Sequence, residues 1–158
     1  MSNGTWKSLV VLLLCLVCAA AVCPAPALAA DEGALSRADS AFSAGDYKTA
    51  KALYEQFFAE RGAINDTPEE RAANARVLLQ LGHCCRLMTD LVGAKQWFAK
   101  VMATYPADRA SCAQALFWLG NISSLRQLFP AAAASLQQLL RDYPEESKAY
   151  PETRLLLA

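Results

Sequence analysis

The chain has 158 residues, with 15 basic and 15 acidic side chains, one histidine and six cysteines. That length suits one domain, and zero net charge removes the chain-wide basic field that would gather nucleic acid. A 54% hydrophobic content excludes disorder over most of it, and Cys15, Cys18 and Cys23 lie too near the start to staple a small disulfide scaffold.

Lys7 precedes an unbroken apolar run over residues 9–22, followed by Pro24, Pro26 and Ala27-Leu28-Ala29. A basic start, a short apolar stretch and a small-residue site describe a secretory signal peptide. As helix the run reaches only about 21 Å, short of the ~30 Å hydrocarbon core, and the prolines interrupt anything longer. We expect residues 1–29 to be cleaved after Ala29 and residues 30–158 to form the mature domain, exported to the periplasm. The alternatives are an anchor in the inner membrane through residues 9–22, or outer-membrane association by lipidation. Leu14, Val17 and Val22 precede the three leader cysteines, where a lipidated cysteine follows a small residue.

Residues 30–158 hold 25 alanines and only ten valines, isoleucines and threonines, a composition that favours helix over strand. The pattern predicts helices over 33–44, 47–60, 68–88, 91–104, 108–124, 129–142 and 151–158. Thr67-Pro68-Glu69-Glu70 opens the third as a capping box with proline at the first position. Pro106 and Pro144 follow the helices they end. The last segment, with three leucines at 155–157, reads as a partial cap with one side left apolar.

Small residues return at fixed intervals. Gly82, Ala94 and Tyr105-Pro106 recur at Gly120, Ala132 and Tyr143-Pro144, a shift of 38. Upstream, Ala38 and Ala50 flank Gly45-Asp46-Tyr47 at the same internal spacing. Small side chains at Ala38, Ala50, Gly82, Ala94, Gly120 and Ala132 let antiparallel helices approach, and Tyr54, Phe98 and Leu136 fill the groove beside them. The first gap is longer, with its excess in residues 61–70. Leu128 replaces the capping Asp46 and Asp90 of the other copies, leaving Pro130 to start the helix.

At these residues the sequence resembles the tetratricopeptide repeat family, with Leu81-Gly82, Ala94, Phe98 and Pro106 in one copy and Leu119-Gly120, Ala132, Leu136 and Pro144 in the next. The Tyr-Pro and Ala-Leu-Phe-Trp-Leu-Gly wording of the third copy looks like two bacterial envelope groups, the Tol–Pal-associated periplasmic repeat proteins and the outer-membrane assembly lipoproteins. The resemblance implies an all-α solenoid of about three helical hairpins with a partial C-terminal cap. It implies a non-enzymatic scaffold that takes a protein segment on its concave wall, lined by the first helix of each pair. Carried over by register, that wall offers Arg76, Leu79, His83, Arg86 and Leu87, then Gln114, Phe117, Asn121, Ser124 and Leu125, with Leu35, Asp39 and Phe42 in the first copy. The carboxylate clamp known in this family needs Lys and Asn where this chain has Leu79 and His83.

Other chemistry is thinly represented. Consecutive helical residues diverge by about 100°, so His83-Cys84-Cys85 cannot close on one metal ion. Cys84, Cys85 and Cys112 are expected as free packing thiols, and Glu69-Glu70 and Glu145-Glu146 as charges at helix starts. No phosphate-binding, zinc-protease or nucleophile motif occurs. We therefore expect no enzyme, cofactor, metal or nucleic acid. The partner is a protein, through a groove binding a peptide or helix; the alternatives are self-association through the apolar end, giving a homodimer, and a membrane-anchored envelope assembly factor. A membrane partner enters only if the leader is retained.

Overall fold

Every regular element in the described part of the chain is helical. The computed structural model describes residues 26–61 and 67–157, with side chains from residue 33. Residues 1–25, with Cys15, Cys18 and Cys23 and most of the expected leader, residues 62–66 within the longer first gap, and Ala158 lie outside it. The chain divides into two units, residues 1–32 and 33–158, and the repeated hairpins lie in the second. The helices are α1 (Pro26–Ser43), α2 (Tyr47–Arg61), α3 (Pro68–Leu87), α4 (Leu91–Thr104), α5 (Arg109–Leu125) and α6 (Phe129–Asp142). A 3-10 turn (Glu146–Ala149) and the one-turn helix α7 (Glu152–Leu155) follow.

The helix starts have local causes. The Thr67 hydroxyl accepts from the Glu70 amide at 3.1 Å, and the Glu70 carboxylate accepts from the Thr67 amide at 3.0 Å, so the capping box forms as expected. Asp46, Asp90 and Asp108 accept from the amides of Thr49, Gly93 and Ser111. Helix α6 has no side-chain cap at Leu128 and relies on its N-terminal proline.

One turn is used three times. Gly45, Thr89 and Gln127 occupy equivalent places between the helices of each pair, with φ of 82°, 64° and 58°. In each, the next residue's amide reaches back to a helical carbonyl: Asp46 to Ala41, Asp90 to Cys85, Leu128 to Ser123. This left-handed closure folds each pair into an antiparallel hairpin.

Helix α3 packs on α4 and α5 on α6, while α2 meets α3, α4 meets α5, and α3 lies beside α5. The Tyr54 hydroxyl of α2 donates to Asp39 of α1, and Phe42 meets Tyr47 edge-on. Ala38, Ala50, Tyr54, Gly82, Ala94, Phe98, Gly120, Ala132 and Leu136 are all buried. The crossings are close: a methyl group on Gly82 would sit 2.6 Å from the Phe98 ring, and one on Gly120 2.5 Å from Leu136. Two cores run through the stack, and Met102 and Trp118 pack against both. The described residues thus form the expected all-α hairpin solenoid.

The ends differ from expectation. Helix α1 begins at Pro26 instead of 33. The final helix, expected over 151–158, is confined to Glu152–Leu155, with Pro151 at its N-cap and Leu156 at its C-cap. Thr153 is buried there, Leu157 packs on the second core, and Leu155 is 77% exposed.

Candidate functional site

The first helices of successive copies are tied by a repeated polar contact. The Arg76 guanidinium of α3 donates to the Asp39 carboxylate of α1 at 2.6 Å. One copy later, Gln114 of α5 meets the imidazole of His83 of α3 at 3.3 Å. Asp39 and His83 are register equivalents, as are Arg76 and Gln114, so the same two positions join neighbouring hairpins twice.

An aromatic ladder lies beside the second contact. His83 packs edge-on against Phe98 and Trp118, at 5.3 and 5.1 Å between ring centroids. Trp118 meets Phe117 edge-on, and Phe117 stacks on Tyr150 at 4.7 Å. The Arg86 guanidinium lies over Trp118, 4.4 Å from the ring centre. Burial, helped by the nearby Arg86 charge, pushes the His83 pKa down to about 4. The imidazole is therefore neutral at pH 7.

The sequence-selected wall residues divide into two groups. Arg76 is exposed, and His83, Arg86, Gln114 and Asn121 are part-exposed. Contacts bring Arg76 to Asp39, and His83 and Arg86 to the Gln114–Trp118 stretch of α5. Leu79 and Phe117, by contrast, are 5% and 8% exposed and belong to the two cores. As apolar anchors for a partner they need correction: Phe117 is covered by Tyr150, and Leu79 is taken up by packing between hairpins. The positions at which the family clamp would stand hold this buried leucine and the half-buried, neutral histidine.

Trp118 escaped the sequence reading, although it stands four residues after Gln114 and three before Asn121, on the same face of α5. That spacing was a usable signal. Tyr150 was not foreseeable from the repeat, since it comes from the irregular segment after α6.

The remaining chemical candidates are structural. Cys84, Cys85 and Cys112 are free and buried. Burial drives the Cys84 thiol up to about 12 and raises the other two. Glu146 forms a two-point contact with Arg109, at 2.7 and 3.1 Å. Among the described residues, no group of three His, Cys, Asp or Glu side chains could hold a metal ion, and no helix is long and apolar enough to cross a membrane.

Stacked hairpins with a polar wall shared by their first helices make a helical-repeat solenoid, with a fold like that of tetratricopeptide repeats. A family model described as tetratricopeptide repeat matches residues 114–146, from the middle of α5 to the 3-10 turn. The match takes in Gly120, Asn121, Ala132, Leu136 and Pro144 of the third copy. No curated protein matches the chain.

Proposed function

We propose that residues 30–158 form a non-enzymatic protein-interaction module of the bacterial cell envelope, exported by the leader and holding one protein segment on the wall made by α3 and α5. The observation that carries this is the joined surface of those helices. His83 to Gln114 and Arg86 to Trp118 fix two hairpins side by side, while Arg76, Arg86, Gln114 and Asn121 keep part of their surface in solvent. Tetratricopeptide repeats serve as protein-binding scaffolds, and such a wall suits a helix or an extended peptide.

Site-specific photo-cross-linking in cells tests the reading. A photoreactive residue at Gln114 or Asn121 should capture one discrete partner, and the same residue at exposed Lys95 on α4 should not. Absence of product at both wall positions, or the same product at Lys95, refutes it. Intact mass of the exported chain should begin at Ala30; a chain beginning at Met1 removes the cleaved-leader part of the proposal.

A second reading has one observation in its favour. Leu155 and Leu156 stand 77% and 37% exposed beside buried Thr153, an apolar end suited to a second copy. Light scattering of the purified protein should then report dimers that Leu155→Glu dissolves; monomers at working concentrations dismiss this reading.

A further inference from the structure

Arg86 is held in place yet left without a counter-charge. Its guanidinium lies on the Trp118 ring, and its Nε is buried with no hydrogen-bond partner. Among the described residues no carboxylate forms an ion pair with it, whereas Arg76 on the same wall is paired with Asp39. The other groups nearby cannot compensate: His83 is neutral at pH 7, and Gln114 and Asn121 carry no charge. The acidic residues at the starts of the helices that follow are engaged as caps, Asp90 through the Gly93 amide and Asp108 through the Ser111 amide. The α3–α5 wall therefore carries one fixed, uncompensated cation.

We propose that Arg86 on its Trp118 platform is a subsite for an aspartate or glutamate side chain of the bound segment; this rests on the groove reading above. With Nε sealed against the protein, the terminal amino groups of the part-exposed Arg86 side chain are the donors left to a ligand. A planar donor pair matches a carboxylate in two-point contact. The stack on Trp118 fixes the side chain before binding, so less rotamer entropy is lost when the acid arrives. The apolar floor of Trp118 and Phe98 lowers the local dielectric and strengthens the pair. A neutral or basic side chain at this point would leave the charge as it is or repel it.

The test selects short random peptides against the full chain, then remakes the tightest binder with its acidic residue changed to the amide. Selected peptides should share one acidic position. The acid-to-amide change should weaken binding to the native protein by about tenfold or more, the usual worth of a hydrogen bond to a charged group. Against Arg86→Gln, the acidic and amide peptides should bind alike. Arg86→Lys, which keeps the charge but loses the planar fork, should retain part of the difference. Circular dichroism confirms that each variant is folded, and the two variants are independent should one fail. Equal binding of both peptides to the native protein, or an undiminished difference in Arg86→Gln, overturns the acidic subsite while leaving the groove intact. If no peptide is selected, or Arg76→Ala, Gln114→Ala and Asn121→Ala together leave binding untouched, the groove reading falls and this inference with it.

Discussion

At Gly82 a single hydrogen atom decides how closely two helices pass. Alanine is intrinsically the better helix residue by up to about 1 kcal/mol. Here its methyl would press to 2.6 Å from a Phe98 ring that His83 also packs against and Trp118 flanks in stacked orientation. Overpacking of this sort typically costs about 1–3 kcal/mol, so the clash outweighs the propensity. Gly82→Ala should lower the midpoint of denaturant unfolding, and Phe98→Leu should give back part of the loss in the double variant. If Gly82→Ala is as stable as the parent, the close approach is not what selects glycine. The same change at Gly120 should cost less, because Leu136 belongs to the smaller terminal core and can turn about its χ angles. Buried Cys84, Cys85 and Cys112 should resist a water-soluble thiol reagent in the native state and react on unfolding, as read by peptide mass. Rapid modification of any of them in the folded protein would contradict the burial.

The hairpin turns carry the clearest strain. Gly45 takes its left-handed conformation freely, but its equivalents Thr89 and Gln127 adopt positive φ with side chains attached. A β-branched residue there is disfavoured by roughly 1–2 kcal/mol, and glycine restores part of that against its own entropy cost. Thr89→Gly should raise stability by up to about 1 kcal/mol, measured by thermal unfolding, and Gln127→Gly by less. A destabilised Thr89→Gly would mean that the threonine side chain earns its place by a contact. These turns also explain why element boundaries were legible. Asp46, Asp90, the Thr67 box and Pro130 are local signals acting within a few residues, and helices α2 to α6 begin within a residue of where they predict. The last helix is shorter than the leucine run at 155–157 suggests: Pro151 starts it, but it stops at Leu155. Whether Leu79 and Phe117 face a partner or a neighbouring hairpin could not be read locally. Both lie at the edge of a helical stripe, and what covers Phe117 is Tyr150, which arrives from outside the repeat pattern.

At the scale of the whole stack, the junction between the second and third hairpins is held through a single acid-responsive group, His83. His83 sits between Phe98 and Trp118, meets Gln114 across the junction, and has Arg86 one turn away on α3. Its folded pKa of about 4 lies below the ordinary histidine value of 6.5. Between those values the unfolded chain holds the proton and the folded chain does not, so unfolding takes up a proton and stability rises with pH. Lowering the pH from 6.5 towards 4 should therefore remove the contribution of neutral His83, while above 6.5 it is present in full. Carboxylates elsewhere add their own acid sensitivity, and comparison with His83→Gln isolates the histidine: the variant should lose less stability than the parent between pH 6.5 and 4. Parallel pH profiles for the two proteins would mean that the imidazole is already solvated in the folded state. The same comparison bears on the groove, because a protonated His83 would place a second positive charge beside Arg86 and loosen the junction that fixes α3 against α5. Acidic peptides selected at neutral pH should accordingly bind an intact wall at pH 7, and the native protein should begin to lose that wall before His83→Gln does as the solution is acidified.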